Sequence, residues 1–263
     1  MLDLKIIIFG ILTLFLISTT GLSTLVFAES IMITKSEKML DIVFDGKWTT
    51  ITEWKPTSVN QVNPQTIIRS AHFGNYVYFM IDVLVDETIS WQKDKATICF
   101  DTKNNKSTNP DKDDYCFTSV LGSSKGVTLQ GGHGENVENN FMIIQNHHEF
   151  IGVGTMSDEN DRYSKKPHAS YEFKIPTEVI GRSDNYGFLV FVIDSDRNDP
   201  IIWPQEISEL NKIPPPTKWG QIVSPDKSLP EFGSSMIIFF IFFIFLIFIV
   251  KSDKFSVFYS QLR

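Results

Sequence analysis

Cysteine is nearly absent from this chain: Cys99 and Cys116 are the only two in 263 residues. That excludes paired Cys-x-x-Cys metal sites and leaves room for one disulfide. Histidine is scarce as well, with five, and none stands in an HExxH arrangement. GxSxG and P-loop spacings are missing too, and no nucleophile stands with a base, so the chain is not read as an enzyme. There is no excess of positive charge. The net charge is −7 and the sequence pI about 5.3, which argues against a nucleic-acid surface. Helical periodicity is almost absent, and no long internal repeat is visible.

What is present begins at the two ends. Residues 1–28 carry Lys5 near the start, an apolar run over 6–16, and Val26-Phe27-Ala28 before Glu29, the pattern of a signal peptide cut after Ala28. Export implies an oxidising compartment, where Cys99 and Cys116 are expected to be bridged. Residues 236–250 read MIIFFIFFIFLIFIV, with no polar side-chain atom, and predict a transmembrane helix. At ~1.5 Å per residue against ~30 Å of hydrocarbon the run is short, and it needs its flanks or a thinner bilayer. Lys251, Lys254 and Arg263 follow it, so 251–263 is expected to be a cytoplasmic tail and 29–223 an extracellular ectodomain, in single-pass type I orientation, with 224–235 as a stalk.

Within the ectodomain, apolar residues alternate at period two in short runs about ten residues apart, separated by turn signals. Strands are expected at 40–44, 66–73, 76–83, 126–130, 141–145, 149–156, 168–175, 187–193 and 218–223, with one helical turn at 176–180. This predicts an all-β antiparallel sandwich. The stretch from Cys99 to Phe117 predicts a disulfide-closed hairpin: Ile98, Phe100, Tyr115 and Phe117 share a buried face, and Cys99 and Cys116 meet on the outer one.

The hairpin loop holds Asp101, Asp111, Asp113 and Asp114 among several Asn residues, the hard oxygen ligands that Ca²⁺ takes. Asn, Asp, Ser and Pro also make up any long solvated turn. The loop therefore reads as a calcium site or as a turn. The run Asp194-Ser195-Asp196-Arg197-Asn198-Asp199 again offers oxygen ligands, but Arg197 inside it and its brevity favour an ordinary turn over a cation site.

Two resemblances follow from these residues. Pro230-Glu231-Phe232-Gly233, followed by an apolar span and a basic tail, resembles the PEFG-type C-terminal sorting signal of archaeal surface proteins. It implies an archaeosortase-type enzyme that trims the tail and re-anchors the protein. Asp45-Gly46-Lys47-Trp48, Glu53-Trp54, Asn75-Tyr76-Val77-Tyr78-Phe79, Tyr171-Glu172-Phe173-Lys174-Ile175-Pro176, Trp203-Pro204 and Trp219-Gly220-Gln221-Ile222 together resemble the family 9 carbohydrate-binding modules and related DOMON-like sandwiches. The resemblance implies a jelly-roll-like, non-catalytic module for a glycan or cell-envelope polysaccharide. Sugars need exposed aromatic faces beside polar groups, which makes Trp91, Trp203 and Gln205 the candidate binding residues, while Trp48, Trp54 and Trp219 are expected in the core. The same resemblance leaves a second class open, a haem-binding electron-transfer module with Met80 as a ligand, and a third, a structural envelope protein without a small ligand.

Overall fold

The computed structural model describes residues 29–88, 90–134, 140–204 and 212–224. The expected signal peptide, sorting motif, span and tail lie outside them, as does the expected stalk except Ser224, which is buried against His72. Among the described residues no helix is long and apolar enough to cross a membrane.

Alternating apolar residues build two sheets of eight and six strands. The larger runs β1 (Ser30–Met32), β14 (Gly220–Val223), β12 (Asn185–Ile193), β6 (Lys95–Asp101), β7 (Asp114–Val120), β8 (Val127–Gln130) and β9 (Met142–Ile144), with β13 (Ile201–Trp203) paired to β12. The smaller runs β10 (Ile151–Met156), β11 (Ala169–Pro176), β5 (Tyr76–Val83), β4 (Thr66–Phe73) and β2 (Thr34–Lys35), with β3 (Ser58–Asn63) also on β4. A single turn, α1 (Thr177–Ile180), follows β11.

The sheets pack face to face as a β-sandwich. Phe79 of the smaller sheet meets Phe100 and Phe188 of the larger, with ring centroids 5.9 and 5.4 Å apart. Ile81, Ile98, Phe117, Tyr171 and Val190 extend the same dry layer. Burial on this scale is the main stabilising term.

Two parallel pairings depart from the expected antiparallel arrangement. The N-terminal segment crosses between the sheets: β1 runs parallel to β14, β2 runs parallel to β4, and Ile31 and Ile33 drop into the core between them. The expected strand at 40–44 is also absent. Glu37–Asp41 instead forms a 3-10 turn that inserts Met39 and leaves Leu40 70% exposed. Met39, Trp48 and Trp54 cover the outer side of the smaller sheet, over Ala71, Tyr78 and Met80. For this reason β4 and β5 are buried on both faces rather than one.

The hairpin register is the expected one, with Cys99 opposite Cys116 and an S–S distance of 2.04 Å. The cysteine face is not exposed, however. Phe141, Leu189, Phe191, Ile202 and Trp219 close over it, so the disulfide sits in a second apolar cluster on the far side of the sheet from the main core.

Candidate functional site

The strand ends of the sandwich carry the chemistry. At the C-terminal end of β6, Asp101 pairs across the ladder with Asp114, and carboxylate oxygens of Asp101, Asp113 and Asp114 lie within 4.8 Å of one another. Gly187 stands opposite Asp101, and a Cβ there would come within 2.8 Å of the Asp101 Cβ. Glycine thus makes room for the carboxylate.

Most of these oxygens are already engaged. Asp101 accepts from the Asn105 and Lys106 amides at 3.1 and 2.8 Å, and Asp114 Oδ2 accepts from the Asp111 amide at 2.7 Å. Asp111 accepts from the Asp113 amide and the Asn105 side chain, each at 3.0 Å, and Lys103 pairs with Asp113 at 3.1 Å. Three buried oxygens of this loop have no hydrogen-bond partner among the described residues: Asp113 Oδ2, Asp114 Oδ1 and Asn104 Oδ1. Burial, with the charges of Asp101, Asp111 and Asp113, pushes Asp114 up to about 7. Burial and Asp111 also raise Asp113. For Asp111 burial is outweighed by hydrogen bonds from Asp113 and Asn105, and its pKa falls. Such a site attracts a proton or a cation.

The candidate aromatics separate cleanly. Trp91 is 61% exposed, and its ring rests on Gly122, where a Cβ would come within 1.8 Å of it and where φ is +80°. Only glycine suits both constraints. Trp203 is not in a loop: it lies in β13, 4% exposed, packed on Phe188 at 5.9 Å, with its indole N–H donating to Glu29 at 2.9 Å. Pairing of Ile201–Trp203 to β12 pulls it inside, so it offers no face to a sugar. Gln205 lies outside the described residues. Trp48, Trp54 and Trp219 are buried.

No protein-family profile matches this chain, and no curated protein matches it.

Met80 is buried among Trp54, Tyr78 and Met39. On the same face Asp82 accepts from Ser170 Oγ at 3.0 Å and meets His168 Nε2 at 3.4 Å and Arg69 Nε at 3.9 Å. The Arg69 guanidinium lies over Trp48 and Tyr163, 4.5 and 4.8 Å from the ring centroids. Asp82 is thus a buried carboxylate with cationic partners built around it.

One convergence was not expected. Asp86, Asp94 and Asp194 bring carboxylate oxygens within 4.8 Å of one another at the opposite end of β6. Their signal in the sequence is parity. Ala96 and Ile98 face the core on β6, as do Val190 and Val192 on β12, and the same alternation carried one step further falls on Asp94 and Asp194.

Proposed function

We propose that this chain is a non-catalytic, cell-surface-displayed module that binds glycan or cell-envelope polysaccharide, built on a jelly-roll-like sandwich of the carbohydrate-binding type. The observation that carries this reading is Trp91, a flat indole with 61% of its surface exposed, held rigidly on Gly122 at the loop end of the sandwich. An aromatic fixed in this way presents a large apolar face at little entropic cost on binding. Asp101, Asp111, Asp113 and Asp114 serve as a Ca²⁺ site in the hairpin loop, supported by the three unpartnered oxygens there. The apolar run at 236–250 and Pro230-Glu231-Phe232-Gly233 support display outside the membrane and processing by an archaeosortase-type enzyme.

Full-length protein in detergent, applied to an array of glycans and envelope polysaccharides, tests the reading. Binding is expected, and Trp91→Ala should weaken it at least about tenfold with little change in melting temperature, since the ring is mostly in solvent. Absence of binding, or binding indifferent to Trp91→Ala, would sink the proposal.

A further inference from the structure

Three carboxylates from separate segments meet at one end of the space between the sheets. Asp94 precedes β6, Asp194 follows β12, and Asp86 follows β5 of the other sheet; they are 0%, 5% and 2% exposed. Among the described residues none of the three is in an ion pair. Arg197, the basic residue whose charge reaches Asp194, is itself exposed.

A fourth group enters the same space from β11. Tyr171 is fully buried, and its hydroxyl has no hydrogen-bond partner among the described residues. The charges that bear on that hydroxyl are those of Asp86, Asp94 and Asp194. Its ring fits because residue 154 is glycine, where a Cβ would come within 2.8 Å of it. A buried phenol ordinarily finds a partner, so an unpartnered one within reach of three carboxylate charges is open to a further oxygen-binding group.

The surrounding loops are already fastened to this point. Asp94 accepts from the Ser195 and Ser90 amides at 2.8 and 3.1 Å, and Ser90 Oγ donates to Asp196 at 3.2 Å. Trp91 sits in the loop thus held.

We propose that Asp86, Asp94, Asp194 and Tyr171 form an interior site for a hard divalent cation, Ca²⁺ by preference, which ties the two sheets together beneath the loop that presents Trp91. Every donor is oxygen, which suits Ca²⁺ and not the nitrogen- and sulfur-seeking metals. Two ligands on opposite sides of Ca²⁺ stand about 5 Å apart, so the carboxylate oxygens of Asp86, Asp94 and Asp194, within 4.8 Å of one another, already fit one coordination sphere. The carboxylates supply the charge, Tyr171 supplies a neutral oxygen, and water completes the shell.

The test uses metal-stripped full-length protein in detergent, melted in Ca²⁺, Mg²⁺ or EDTA. Four forms are compared: wild type, Asp94→Asn/Asp194→Asn, Asp113→Asn/Asp114→Asn, and Tyr171→Phe. The wild type should melt several degrees higher in Ca²⁺ than in EDTA. The Asp113/Asp114 variant should keep most of that rise, and the Asp94/Asp194 variant should lose it. In EDTA the repulsion relieved in the Asp94/Asp194 variant is offset by the acceptor lost to the Ser90 or Ser195 amide, so its melting temperature there serves as the baseline and the shift on adding Ca²⁺ is what is read. Tyr171→Phe should fold normally and need several-fold more Ca²⁺ for the same rise. A rise that survives Asp94→Asn/Asp194→Asn overturns the inference. Should that variant fail to fold, Tb³⁺ titration of the Asp113/Asp114 variant decides: aromatic-sensitised emission saturating at one equivalent supports the site, and its absence overturns it. None of these readouts involves glycan, so the cation site and the glycan reading fail separately.

Discussion

The two ends of β6 carry acidic clusters made in opposite ways. At the hairpin end, Asp101 and Asp114 at the strand ends and Asp111 and Asp113 in the loop come from one hairpin, and that loop supplies its own cation, Lys103, 3.1 Å from Asp113. At the interior end, Asp86, Asp94 and Asp194 come from three segments and both sheets, with no basic side chain paired to them among the described residues. A carboxylate cluster that provides its own amides and lysine holds a turn with or without a metal. One assembled by the fold between two sheets, with backbone amides but no paired countercharge, is where a bound cation would contribute most. Occupancy of the interior site ties distant strands together, whereas occupancy of the hairpin site ties one loop to itself.

The sharpest way to break this comparison is to cut the staple between the two ends. The Cys99–Cys116 bridge is fully buried beside Asp101 and Asp114 in the ladder. Replacing both cysteines with Ala should cost about 3 kcal/mol by the loop-closure estimate, a fall of roughly 6–12 °C in Tm for a domain this size. Differential scanning calorimetry in Ca²⁺ and EDTA should show the interior cation response intact. If that response vanishes with the bridge, the two ends are one cooperative site and the comparison fails.

A smaller effect separates turn-building from ligation. Asp101→Ala leaves the Asn105 and Lys106 amides without their acceptor, which should cost about 1–3 kcal/mol. The lost backbone hydrogen bonds should appear as that cost in EDTA, and urea denaturation in Ca²⁺ should show a larger one, because Asp101 also belongs to the proposed hairpin site. An equal cost in both would make Asp101 a turn residue and remove it from the site.

Why one end was legible in the sequence and the other was not follows from the range of the interactions. The hairpin register depends on alternation over a few residues on either side of Cys99 and Cys116, and that alternation is written locally. Asp86, Asp94 and Asp194 become neighbours only once β6 pairs with β12 and the sheets pack, so no spacing announces the three together; the traces were the oxygen-rich run that begins at Asp194 and the apolar rows ending on Asp94 and Asp194. Trp203 shows the same limit. Ile201–Trp203 is too short to display a period, and only its pairing with β12 makes it a buried strand rather than a loop. The disulfide was placed on the correct face, but its cover comes from distant residues such as Phe141 and Trp219.

The smallest expected effect is a control drawn from a third buried carboxylate. Asp82 lies beside Arg69 and His168, so it should show pH dependence without cation dependence. Burial disfavours the His168 cation, but the Asp82 hydrogen bond and charge, with the Lys166 carbonyl at 2.8 Å and the more distant Asp161, outweigh it and raise the pKa. A histidine whose folded pKa lies above its ordinary value near 6.5 contributes stability that is complete below that value and is lost as pH rises through the folded pKa. Because Ca²⁺ is proposed to hold the acidic clusters ionised, wild-type Tm measured in Ca²⁺ should fall as pH rises from about 6.5 through the folded pKa of His168. His168→Gln should flatten that slope, and EDTA should leave the difference between the two proteins unchanged. A slope indifferent to His168→Gln would mean that Asp82 is neutralised by Arg69 alone.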